Sequence, residues 1–87
     1  MILSNHAKKQ LRERNISEEL VRKALSVPDE IIPTNEGRKV IHFHIQENEK
    51  VYLLRIIAEQ TGSDWLVITV YKTSKIDKYW RGEQNES

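Results

Sequence analysis

The hydrophobic period of this chain changes once, and the change falls at Pro28. Before it, apolar residues recur at helical spacing: Ala7 and Leu11, then Leu20, Val21, Ala24 and Leu25. After it they alternate, with Ile41, Phe43 and Ile45 pointing one way along a strand and Val40, His42 and His44 the other. At 87 residues the chain is one domain, so both patterns must share a core. Two helices followed by strands joined through short polar turns predict an α+β domain. Two N-terminal helices pack on one face of a three- to four-stranded antiparallel meander sheet, and residues 73–81 form a short C-terminal helix or an ordered arm.

Local signals set the boundaries. A first helix reads over residues 5–14, capped by Ser4 or Asn5. Asn15-Ile16 breaks it. Ser17 caps a second helix, whose first turn carries Glu18 and Glu19 where a helix N-terminus favours anions. Pro28 ends that helix by forcing the preceding residue out of helical geometry. Strands read over 38–46, 51–59 and 64–72, with 29–33 a short edge strand that tolerates Pro33. One sheet face is expected to bury Ile41, Phe43, Ile45, Leu54, Ile56, Leu66, Ile68 and Val70. The other presents His42, His44, Leu53, Arg55, Ile57, Val67, Thr69 and Tyr71, uncovered, and is the place to look for a groove. Residues 1–82 make the domain, and 83–87 are expected to fray.

Composition narrows the chemistry. Without cysteine there is no disulfide framework and no thiolate metal site. No apolar run approaches the ~18–20 residues of a membrane span. The N-terminus lacks the basic and long apolar regions of a secretory signal. The expectation is a soluble cytoplasmic protein that does not engage membranes. Net charge is only +1, but it is unevenly spread. Lys72, Lys75, Lys78 and Arg81 stand against Asp77 alone, interleaved with Tyr71, Tyr79 and Trp80, while Lys8, Lys9, Arg12 and Arg14 crowd the first helix. Cations beside aromatics suit a polynucleotide, with charge for phosphate and ring faces for bases. Lys75, Lys78, Tyr71, Tyr79, Trp80 and Arg81 are therefore the candidate RNA-contacting set. The plainer alternative is a solvated lysine tail whose Tyr79 and Trp80 dock on the core.

Three places could carry chemistry. His6, Gln10 and Arg14 fall on one stripe of the first helix. Imidazole moves protons near neutral pH and guanidinium grips phosphate, so His6 and Arg14 suit phosphoester chemistry; a surface histidine and a solubilising arginine are the alternative. His42 and His44 project to one side of a strand but lack a third metal ligand, so they read as cross-strand polar residues, with no metal and no cofactor expected. Arg55 interrupts an apolar strand and must be paired or open to a cleft. Either it bridges to Glu59 or Asp64, or it joins Thr69, Tyr71 and Lys72 in an anion site. No phosphate-binding glycine loop or zincin motif is present.

The pattern His6-Ala7, Arg14-x-Ile16-Ser17, Val21, Leu25, Pro28-Asp29, then Gly37-Arg38 and Val67-x-Thr69-Val70-Tyr71-Lys72, resembles a small domain-of-unknown-function family. That family is grouped with the barnase–EndoU–colicin–RelE nuclease-like superfamily. The resemblance covers residues 4–72 and implies a RelE-like toxin fold of two helices on a four-stranded antiparallel sheet. It also implies RNA as substrate, an antitoxin or other protein partner, and a metal-independent endoribonuclease. Such an enzyme attacks the adjacent phosphate with the RNA 2′-hydroxyl and leaves a 2′,3′-cyclic phosphate. Under it His6, Arg14, Arg55, Thr69 and Lys72 are catalytic candidates: His6, or Tyr71 or Tyr79, exchanges protons, and the cations, with Lys75, stabilise the phosphorane. Gln10 stands where such sequences usually carry an arginine. That favours a second expectation, a degenerate RNA- or protein-binding module without turnover. Helix-turn-helix DNA binding by residues 5–27 ranks last, because no third helix follows.

Overall fold

A computed structural model describes residues 1–82, so the expected frayed tail at 83–87 lies outside the described residues. β1 (Ile2–Leu3) leads into α1 (Asn5–Arg14) and α2 (Glu18–Ser26). There follow β2 (Glu30–Pro33), β3 (Lys39–Glu47), β4 (Lys50–Thr61), β5 (Asp64–Thr73) and α3 (Ile76–Tyr79). The sheet order is β1-β5-β4-β3-β2, antiparallel from β2 to β5, with β1 parallel to β5. The α+β class and the short C-terminal helix are present. The antiparallel meander of three or four strands is corrected to a five-stranded mixed sheet with one parallel pair. The strand missing from the sequence reading is two residues long, too short to display a period.

Ser4 makes the junction between β1 and α1. Its N–H donates to the Val67 carbonyl at 2.9 Å, holding the chain against β5. Its hydroxyl donates to the Ile68 carbonyl at 3.0 Å and accepts from the Ala7 N–H at 3.0 Å, which caps α1. Asn15 takes the left-handed conformation at φ 55° and stops the helix. Ser17 then accepts from the Leu20 N–H at 3.1 Å and starts α2.

Both N-terminal helices pack on one face. Ala7 and Leu11 of α1, Ile16 of the linker and Val21 and Ala24 of α2 close over Ile41, Leu54, Ile56, Ala58, Val67 and Val70. β1 stops at Leu3, which leaves the outer edge of β5 without a strand partner beyond Val67. The Gln10 side chain supplies the missing acceptor: its Oε1 takes the Val70 N–H at 2.8 Å in a buried position.

A bulge corrects the expected face assignment in β5. Ile57 pairs with Thr69 but Ala58 pairs with Val67, so Ile68 has no opposite number. The extra residue reverses the alternation before it. Val67 therefore joins the helix-side core and Leu66 stands opposite Glu59 on the second face. That second face is not uncovered, as the sequence suggested. Residues 74–82 fold back over it through α3, and Tyr79 at the end of α3 and Trp80 and Arg81 just after it touch residues of β2 to β4.

Candidate functional site

Register places four polar residues in one line across the second face. Glu30 in β2 lies opposite His42 in β3, His42 opposite Arg55 in β4, and Arg55 opposite Tyr71 in β5. Directly opposed side chains have Cβ atoms ~4.5–5.5 Å apart, so the four form a contiguous polar row. An apolar row, Ile32, Val40 and Ile57, flanks it on one side; His44, Leu53 and Thr73 flank it on the other. A cleft of about 380 Å³ opens onto the row, bordered by Ile32, Val40, His42, Arg55, Tyr79 and Arg81 among others.

Within the row each group is held by its neighbour. His42 Nδ1 lies 2.7 Å from Glu30 Oε1. The carboxylate accepts, so Nδ1 carries the proton and Nε2 is left as a bare acceptor. His42 is fully buried and its Nε2 has no hydrogen-bond partner. Burial pushes the imidazole below its usual pKa; the Arg55 charge adds to this, and the Glu30 bond opposes it without prevailing. His42 is therefore neutral at neutral pH, poised to accept a proton at Nε2.

Arg55 is gripped by two tyrosines. Its Nη1 donates to the Tyr71 hydroxyl at 2.8 Å, and its guanidinium stacks 3.9 Å from the centre of the Tyr79 ring. Its Nε is buried without a partner. Neither expected ion pair forms. Arg38 takes Glu59 at 3.1 Å, and the N-terminal ammonium takes Asp64 at 2.6 Å. Burial raises the Tyr71 phenol above its usual pKa. For Tyr79 loss of hydration also pushes upward, but the Lys78 charge and hydrogen bonds from Lys78 and Tyr71 outweigh it, with Arg55 adding to them, and bring the phenol below its usual value.

The C-terminal arm closes the row. The Trp80 ring meets His44 edge-on at 4.6 Å between centroids and lies 6.4 Å from His42. The Arg81 N–H donates to Glu30 Oε1 at 3.2 Å, sharing the oxygen that holds His42. Asp29 fixes His44 through its backbone N–H at 2.7 Å and its Nδ1 at 3.0 Å.

The residues singled out in the sequence divide. Arg55, Tyr79 and the rim cations Lys78 and Arg81 line this cleft, Tyr71 and Trp80 adjoin it through Arg55 and His42, and Thr69 lies one residue pair away on the same face. His6 and Arg14 do not join them: both are exposed on α1, across the sheet from the row. The convergence expected between the N-terminal stripe and the end of β5 is thereby corrected, because α1 is held to the opposite face by Ala7 and Leu11. Lys72 also faces the helix side, opposite Leu54, and pairs with Glu47. Lys75 is exposed. Glu30 was missed; its signal was the turn at 34–37, which returns β2 on β3 and sets a glutamate against His42. Among the described residues no group of three or more His, Asp or Glu converges on a metal position. None of the helices there is long and apolar enough to cross a membrane.

Compared with known proteins, residues 3–72 match a family model described as a domain of unknown function, DUF4258. That description names no activity and carries no link to RelE-like nucleases. No curated protein and no solved structure matches the chain.

Proposed function

The chain belongs to the DUF4258 family, and from its own geometry we propose a metal-independent endoribonuclease, RelE-like in its chemistry, seated on the row Glu30–His42–Arg55–Tyr71. The observation that carries this reading is the neutral, buried His42, fixed by Glu30 at Nδ1 and free at Nε2, one strand from a half-buried arginine whose Nε is enclosed and unpartnered. The two unpartnered atoms define a ligand. Nε2 requires a donor and the Arg55 Nε–H requires an acceptor. A ribonucleotide offers both side by side, a 2′-hydroxyl next to an anionic phosphate; a deoxyribonucleotide lacks the donor.

In the mechanism His42 Nε2 takes the 2′-hydroxyl proton, with the imidazolium supported by Glu30. The 2′-oxygen bonds to phosphorus and the bond from phosphorus to the 5′-oxygen breaks. Arg55 stabilises the charge on the phosphorane. Tyr71, whose hydroxyl accepts from Arg55 Nη1 and keeps its own proton, gives that proton to the leaving 5′-oxygen. The products are a 2′,3′-cyclic phosphate and a 5′-hydroxyl. His6 and Arg14 have no step here. A cytoplasmic setting, where RNA is abundant, belongs to the same reading.

The test is end-labelled single-stranded RNA incubated in EDTA. Cleavage to a cyclic phosphate is expected, lost by a factor of ~10²–10⁴ in His42→Gln and absent on 2′-deoxy substrate. Cleavage that His42→Gln leaves untouched would sink the proposal. A second reading, a binding module of the same fold without turnover, is favoured by one observation: His42 is wholly enclosed. It predicts salt-sensitive RNA affinity and intact RNA.

A further inference from the structure

We infer that residues 74–82 form a movable cover over the polar row, and that this structure shows the row closed. The inference rests on the functional reading above and adds its regulation. The contacts that seat the arm on the row engage groups the substrate would need. The Tyr79 ring occupies the open face of Arg55. Trp80 lies against both histidines. The Arg81 N–H shares the Glu30 oxygen that orients His42. Beneath them two polar atoms, His42 Nε2 and Arg55 Nε, are buried and unpartnered. Native interiors seldom leave such groups unsatisfied, and two under one segment mark a place where something else belongs.

The cover is lightly built. α3 is four residues long, has no side-chain cap bond and contributes no buried residue. Local hydrogen bonds within it include the Lys75 N–H to Thr73 Oγ1 at 3.0 Å, the Lys78 N–H to the Lys75 carbonyl at 3.2 Å and the Trp80 N–H to the Ile76 carbonyl at 2.8 Å. The sheet beneath is paired along β3, β4 and β5. Segments with few buried apolar contacts open well below the free energy of global unfolding. Opening exposes Nε2, frees the Arg55 face, and returns the whole Glu30 oxygen to His42. Closing therefore both covers the base and draws away part of its support.

Two variants loosen the arm and leave all four row residues in place: Trp80→Ala, and Arg81→Pro, which deletes the N–H bound to Glu30. Trp80 is extended at φ −72° and ψ 132°, a conformation a following proline accepts. The readout is carbethoxylation by diethyl pyrocarbonate, which attacks neutral imidazole, mapped by peptide mass. Exposed His6 serves as the internal standard in the same chain. His42 should react at least tenfold more slowly than His6 in the unaltered protein and approach it in both variants. Labelling at the His6 rate in the unaltered protein overturns the cover, as does undiminished protection in both variants. Should the variants fail to fold, amide exchange in the unaltered chain decides: residues 76–81 must exchange at least a hundredfold faster than the centre of β4. Equal protection overturns the inference. Labelling does not depend on turnover, so the failures separate. A chain with a mobile arm and no RNA cleavage loses the nuclease and keeps the cover; one that cleaves RNA with His42 freely labelled loses the cover and keeps the nuclease.

Discussion

One sheet carries two unlike faces. The helix side is closed by α1 and α2 over aliphatic side chains, and Gln10, buried there, has its acceptor filled by a backbone amide. The other side is closed by a four-residue helix and a tryptophan over a histidine and an arginine, each with an unmet nitrogen. Hydrophobic burial scales with area and is indifferent to direction. Hydrogen bonds are directional, and leaving one unmade in a buried site is costly. The first face is therefore the larger source of stability, and the second holds two buried nitrogens, His42 Nε2 and Arg55 Nε, that make no hydrogen bond.

That contrast predicts unequal costs for truncation. Leu54 is fully buried in the helix-side core, and Leu54→Ala should cost ~2–5 kcal/mol in urea unfolding. Tyr79→Ala on the other face should cost ~1 kcal/mol or less, the scale of an exposed cation–aromatic contact. Equal losses at the two positions would erase the distinction.

The next effect sharpens the account of the helix side. Gln10→Ala removes the acceptor of the Val70 N–H and strands a buried donor, for an expected loss of ~1–3 kcal/mol. His6→Ala and Arg14→Ala, one turn away on either side and exposed, should change the urea midpoint by little. If Gln10 were instead a worn catalytic position, its replacement would leave stability unchanged.

Gln10 also shows how far the sequence could be read. Its place on the His6/Arg14 stripe was legible, but its role depends on where β1 ends, and a two-residue strand leaves no trace in hydrophobic alternation. Helix boundaries were legible because Ser4, Ser17 and Pro28 act locally. The long strands were legible because alternation repeats. The reversal of Leu66 and Val67 was not, since one bulge is set by pairing across strands. Arg55 and the aromatic arm stood out as polar or basic exceptions to local pattern. Glu30 did not, because a glutamate in an edge strand looks ordinary until register sets it beside His42. The site is a row across strands, and rows are written in register, to which a single segment is blind.

A pH series tests the second face alone. The depressed pKa of His42, caused first by burial and opposed by Glu30, means that the folded protein resists a proton the unfolded chain accepts. Below the ordinary value of 6.5 the unfolded state gains that proton first, so stability must fall as pH falls from 6.5 toward the folded value. The slope is at most ~1.4 kcal/mol per pH unit for one proton. Glu30, Arg55 and His44 face this imidazole and set the width of the window. Asp29 and Asp64 have lowered values and remain ionised through it. Urea midpoints at pH 7.5 and 5.5 should differ in the unaltered chain and converge in His42→Gln. A pH response that survives the substitution would place the sensitivity elsewhere.

The smallest effect separates sheet from cover. The turn between β3 and β4 has positive φ at both central residues, 51° at Asn48 and 66° at Glu49. Asparagine accepts that conformation readily, whereas glutamate is strained in it, by up to ~1–2 kcal/mol. Glu49→Gly relieves the strain but loosens the unfolded chain, so a net gain of ~0.5–1 kcal/mol is expected. Both residues are exposed at the end of the hairpin. The substitution should raise the urea midpoint while His42 labelling and arm exchange stay unchanged. Were the arm to slow in step with the sheet, its opening would be part of global unfolding, and the two faces would be one cooperative unit.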